Sequence, residues 1–278
     1  MTRDADATPG HRAGVPAAAP DTPPAASPLD RRALAAETVV VVMLAVGTSG
    51  LRAAWSLVRS LTADERLSSQ AAVLNASRAP GRPWIDLGYQ LISALALVLP
   101  AVLAMLLVVR DGGRLADIGL VVQRWGRQVL VGLTIAALVG GTGLALYLLS
   151  YAAGASLAVV PTTLPDVWWR IPVLVLSACA NSVLEEVVLC GYLLRRLDQL
   201  GVSSRAAVVV AALVRGAYHL YQGLAGALGN FVMGLLFGAY AQRTGRILPL
   251  IVAHAAIDIA AFVGWVLFAG RWDWIPTP

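Results

Sequence analysis

The sequence predicts an all-α, polytopic transmembrane bundle of about seven spans, and three observations carry that prediction. Apolar residues make up 58% of the 278-residue chain and charged ones 13%, with a mean hydropathy of +0.72, whereas soluble domains carry roughly 25% charge. The apolar residues are gathered into runs long enough to cross a ~30 Å hydrocarbon core, which takes about 20 residues of helix. The arginines fall between those runs and are shared unevenly between the two sides that the runs define.

Seven segments meet the length requirement: 36–60, 84–109, 128–152, 169–194, 204–222, 224–242 and 247–269. Only Gly223 separates the fifth from the sixth, which predicts a tight helical hairpin. Residues 31–278 thus read as one transmembrane helical domain. Residues 1–30 are rich in Ala, Pro, Asp and Thr and contain no apolar run, so they lack the core of a signal peptide and read as a disordered cytoplasmic tail.

Orientation follows from the 21 basic residues, all of them arginine. With the N-terminus inside, the cytoplasmic stretches hold Arg3, Arg12, Arg31, Arg32, Arg110, Arg114, Arg124, Arg127, Arg195, Arg196, Arg205, Arg243 and Arg246. The outer stretches hold only Arg59, Arg66, Arg78, Arg82, Arg170 and Arg271. The positive-inside rule therefore predicts a multi-pass protein of the cell membrane, N-terminus cytoplasmic, with lipid as its surroundings. A net charge of +5 scattered between apolar blocks forms no basic face, so nucleic acid is not an expected partner.

The stretch 110–127, RDGGRLADIGLVVQRWGR, mixes charge with apolar residues and suits a short interfacial helix. Gly226, Gly229, Gly234 and Gly238 give the sixth span a small-residue face for close helix packing. Cys179 and Cys190 have no second Cys or His at metal-like spacing and read as packing residues. Arg52 lies near enough to a span end to snorkel.

Charged and titratable groups inside spans cost about 2.5–3.5 kcal/mol each on insertion scales and mark functional sites. The second half of the chain carries Glu185 and Glu186, Arg215 and His219, and His254 and Asp258. Counted at ~1.5 Å per residue from Arg195, Arg205 and Arg246, they fall roughly 12–21 Å deep, so three helices bring polar groups to one depth. Arg215 and His219 are i,i+4 on one face, as are His254 and Asp258, and Asn181 is i,i+4 with Glu185. Glu185 and Glu186 diverge by about 100° on an α-helix, so one aims at a shared centre and the other needs its own partner, for which Arg215 is the candidate. Carboxylates and imidazoles buried together are suited to activating water. No Ser or Cys stands paired to a base as a covalent nucleophile.

These motifs resemble the CAAX prenyl protease type II and bacteriocin-processing (CPBP) family of intramembrane metalloproteases, marked by Glu-Glu-x-x-x-Arg, Phe-x-x-x-His and His-x-x-x-Asn/Asp on successive helices. Glu185-Glu186, His219 and His254-x-x-x-Asp258 match in order and spacing, over about 170–265. The resemblance implies peptide-bond hydrolysis on a membrane-associated or prenylated substrate, with Glu185 and His219 activating water and His254 and Asp258 supporting the oxyanion. It also raises a divalent metal such as zinc, for which Glu185, His219 and His254 are the implied ligands. Two positions depart from the pattern: Cys190 stands in place of the motif arginine, and Arg215 in place of the motif phenylalanine. The expectation is that the guanidinium has moved to the facing helix, where it pairs with Glu186. Two other readings stay open: a non-catalytic immunity or scaffold protein of the same fold, and a proton-coupled transporter, although the chain lacks the repeated halves common in transporters.

Overall fold

The computed structural model describes residues 28–272 and 274–276. Seven helices carry them. α1 runs through Pro28–Val42, a π-helical stretch Met43–Gly47 and Thr48–Leu61; α2 is Pro83–Arg110 and α3 Trp125–Ala152. α4 comprises Arg170–Glu185, the π-helical Glu186–Leu193 and Leu194–Gln199; α5 is Ser204–Tyr218, α6 Leu224–Thr244 and α7 Leu248–Phe268. The mostly helical fold is the one expected, and six of the helices are long and apolar enough to cross a membrane. The expected tail lies outside the described residues except for 28–30, which already belong to α1.

The fifth expected span, 204–222, is helical only over Ser204–Tyr218. Fifteen residues rise about 22 Å, short of a ~30 Å core. His219 leaves the helix at φ −94°, ψ 3°, Leu220–Gln222 form a 3-10 turn, and Gly223 turns the chain at φ +88°. A side chain there would be strained. The hairpin between α5 and α6 is therefore present, but its first arm ends early.

Two further differences lie in the connections. In place of an interfacial helix, 110–127 holds the 3-10 turn Leu115–Ile118, because Gly112 and Gly119 both adopt positive φ. Two five-residue strands, β1 (Ala71–Asn75) and β2 (Ala158–Thr162), pair in parallel between the helices, in the register Ala71↔Ala158 to Asn75↔Thr162. Asn75 ties the pair to α4: its Nδ2 donates to Pro161 O at 3.0 Å and its Oδ1 accepts from Ser177 Oγ at 2.9 Å.

α4 is the central helix. About two-thirds of its apolar window is buried, against 6% for α3, which presents its surface outwards. Leu184, Val188, Leu189 and Tyr192 form the main core with Ala101 and Ala104 of α2, Ala211 of α5, Phe237 of α6 and Leu250 of α7. Burying such side chains stabilises the bundle chiefly through dense packing, since lipid is as apolar as leucine. The small-residue face of α6 serves α5 at two positions: Gly234 meets Ala212 and Gly238 meets Val208. Of the two cysteines, Cys190 packs inside as expected, whereas Cys179 faces outwards and is exposed.

Candidate functional site

α4, α5 and α7 converge where α5 ends. The Glu185 and Glu186 side chains are 2% and 0% exposed, Arg215 1% and His254 3%. Ions so deeply buried persist only when paired. Arg215 Nη2 donates to Glu186 Oε1 at 2.6 Å, and His254 Nδ1 bonds the same oxygen at 2.8 Å. A carboxylate oxygen only accepts, so Nδ1 carries the proton in that bond. The Arg215 guanidinium also lies over the Phe237 ring, 5.4 Å from its centroid, an aromatic partner that no motif pointed to.

Glu185 lies in the same group. Its Oε2 is 3.8 Å from Arg215 Nη1 and 3.8 Å from His254 Nδ1. The adjacent carboxylates thus share one centre, which a regular α-helix does not favour. The π-helical stretch that begins at Glu186 supplies the reason: its wider turn reduces the angle between successive side chains.

Three more residues complete the chamber. His219 Nδ1 bonds Arg215 O at 2.9 Å, which leaves Nε2 with the lone pair on a neutral ring. On α7, Asp258 Oδ2 stands 3.6 Å from His254 Nε2 and accepts from Asn181 Nδ2 at 3.3 Å. Every candidate residue from the sequence therefore falls in one connected neighbourhood: Asn181, Glu185 and Glu186 from α4, Arg215 and His219 from α5, His254 and Asp258 from α7.

His219, His254 and Asp258 line a cavity of about 720 Å³ between α3, α6 and α7. Its remaining walls are largely apolar, with Ala137 and Gly140 from α3, Met233 from α6 and Ile257 from α7. Gln222 and Asn230 add polar groups that the motifs did not include. Concave apolar sites with a few convergent polar groups are the usual form of a substrate pocket.

One atom each from Glu185, Glu186 and His254 lies within 4.8 Å of the others, a spacing that a metal ion can bridge. His219, a ligand under the expected arrangement, stands outside that group. Arg215 already places a permanent positive charge against both carboxylates, and the His254 Nδ1–H is committed to Glu186. The chamber as arranged does not fit an additional divalent cation, which would stand beside the guanidinium.

Residues 167–260 match the sequence model of the Type II CAAX prenyl endopeptidase Rce1-like family. That stretch is an Rce1-like domain. It covers about a third of the chain and contains all seven residues of the chamber. No curated protein and no solved structure matches the chain. The Rce1-like domain begins just before α4 and ends inside α7, so it consists of the three site-bearing helices and α6, against which α5 packs.

Proposed function

We propose that this chain is an intramembrane endopeptidase that hydrolyses a peptide bond of a membrane-associated or prenylated substrate. The observation that carries the reading is the buried Glu185–Glu186–His254 group joined through His219, His254 and Asp258 to an apolar cavity. A substrate segment in that cavity presents its scissile carbonyl to the polar end. Glu185 takes a proton from a water molecule that the Nε2 lone pair of His219 orients, and the water oxygen bonds to the carbonyl carbon. His254, fixed between Glu186 and Asp258, faces the cavity where negative charge develops on the carbonyl oxygen. The C–N bond then breaks, and Glu185 returns its proton to the leaving amine. Arg215 and Glu186 hold the chamber's charge balance and touch no substrate. The arginine asymmetry orients the N-terminus towards the cytoplasm in this reading.

A second reading has a specific observation behind it. Cys190 occupies the place of the family's arginine, which favours a non-catalytic relative that binds its partner without cutting it. Against it stands Arg215, which brings a guanidinium to Glu186 from the facing helix. Incubating the purified protein with a membrane-peptide library separates the two. The catalytic reading expects cleavage that Glu185→Gln and His219→Ala each abolish while the thermal transition stays near wild type. Wild-type turnover in either variant refutes the mechanism, and binding without cleavage by the unmodified protein supports the second reading.

A further inference from the structure

Tyr218 ends α5 directly before His219, with its side chain turned back into the bundle. The residue is 7% exposed, its ring centroid lies 4.5 Å from that of His219, and the hydroxyl is buried without a hydrogen-bond partner. A buried phenol normally finds an acceptor. Three other atoms of the chamber are buried and unpaired: Arg215 Nη1, Glu185 Oε2 and Glu186 Oε2. Arg215 Nη2 and His254 Nδ1 are spent on Glu186 Oε1. The chamber therefore holds two uncommitted donors, Arg215 Nη1 and the Tyr218 hydroxyl, and two uncommitted carboxylate oxygens. Nη1 reaches Glu185 Oε2 only at 3.8 Å, and the Glu185 carboxylate is also within electrostatic reach of the Tyr218 hydroxyl, which closes no hydrogen bond.

α1 packs against the base of the Tyr218 side chain. α1 passes close at Gly50, where an added Cβ would lie 3.6 Å from Tyr218 Cβ. Neither Tyr218 nor Glu185 lies on the cavity wall that His219 lines, so a bond between them forms behind that wall.

We infer that Tyr218 is a positioning residue for Glu185, its hydroxyl donating to the carboxylate and aiming the other oxygen at the water in the cavity. This role rests on the endopeptidase reading, and its structural core, the Tyr218–Glu185 hydrogen bond, is testable without turnover.

The experiment compares Tyr218→Phe, which removes one oxygen and keeps the ring, with the wild-type full-length protein in detergent. Infrared difference spectra locate the Glu185 carboxylate band by subtraction of Glu185→Gln, and the inference expects Tyr218→Phe to shift that band. On a cleaved peptide, Tyr218→Phe is expected to lower kcat about 10- to 100-fold, the range for a lost hydrogen bond to a charged group, with KM and the thermal midpoint nearly unchanged. An unshifted band overturns the inference whether or not any peptide is cut. So does a Tyr218→Phe enzyme with wild-type kcat, or one whose loss follows a fall in thermal midpoint that Tyr218→Leu only deepens. A shifted band with no cleavage of any peptide by wild type upholds the hydrogen bond and sinks the endopeptidase reading instead.

Discussion

Removing either member of the Arg215–Glu186 pair is expected to destabilise the protein strongly, and removing both much less than the sum. The two side chains are 1% and 0% exposed and 2.6 Å apart, so each neutralises the other where water cannot. Deleting one partner of a buried pair costs about 3–5 kcal/mol, because the survivor is left charged and unpaired. Arg215→Leu also forfeits the contact over Phe237, worth about 2 kcal/mol when desolvated, and places the loss towards the upper end. At roughly 2–4 °C per kcal/mol, either single variant should lower the thermal midpoint by on the order of 10 °C. Arg215→Leu with Glu186→Leu removes both charges together, so a coupling of about 3 kcal/mol is expected in the double-mutant cycle. The relocation has its own control. Cys190→Arg with Arg215→Phe returns the guanidinium to α4 and should recover stability that Arg215→Phe alone loses. Thermal unfolding of the purified variants, followed by tryptophan fluorescence, reads every corner of both cycles. Additivity within about 0.5 kcal/mol would refute the pairing argument and raise the non-catalytic reading above the endopeptidase one.

Three further expectations follow from the same geometry. Because Arg215 supplies the positive charge at the two carboxylates, cleavage should continue at an unchanged rate in excess chelator; a loss that zinc restores would show that the chamber admits a metal. Gly234→Ala would put a Cβ 2.8 Å from the Ala212 backbone and 3.4 Å from Arg215 Cδ, so it should cost about 1–3 kcal/mol and reduce turnover. Gly229→Ala meets only Leu146 at 3.9 Å and should leave the thermal midpoint unchanged, and equal thermal shifts would count against the clash. At the far end of α4, burial pushes the Asp111 carboxyl up, but hydrogen bonds from Arg110 and Arg196 outweigh it and hold it below the usual range. A lowered folded value gives stability that is present above pH ~4 and lost as pH falls further. Asp111→Asn should flatten that acid limb in thermal melts, and an unchanged limb would remove Asp111 from the account.

The long spans were legible because lipid imposes a length and a composition together, and six apolar runs have no other way to bury their backbone polar groups. The chamber residues were legible for a related reason: Glu185, Glu186, Arg215, His219, His254 and Asp258 are too costly inside lipid to be incidental, and i,i+4 spacing fixed their faces. What escaped depends on departures from the α-helical period. The π-helical turn at Glu186–Leu193 brings Glu186 beside Glu185, where a 100° step predicted divergence, and no residue type specifies a π-turn. The strands Ala71–Asn75 and Ala158–Thr162 are too short to show alternation, and each gains its stability from a partner more than eighty residues away. No motif points to Phe237 or Tyr218, because only the burial of a charged group beside it, as with Arg215 over Phe237, gives an aromatic ring chemical meaning.

The early end of α5 links these observations. Hydrolysis needs water in a slab that excludes it, and non-helical backbone at membrane depth is tolerated only where protein buries it or where it lines a cavity. The 3-10 turn Leu220–Gln222 meets the second condition, since Gln222 lines the cavity, and its backbone is paired within the turn: Gln222 N–H donates to His219 O at 3.0 Å and Gly223 N–H donates to Leu220 O at 2.9 Å. Had α5 continued as the full span predicted over 204–222, its last turns would have occupied the space where His219 now meets the cavity. A helix that stops at Tyr218 instead leaves His219 at its end, on the cavity wall, with its Nδ1 anchored to Arg215 O one turn back. Gly223→Ala, strained at φ +88° and with its Cβ 2.9 Å from Leu157 Cδ1, should therefore lower the thermal midpoint and the activity together.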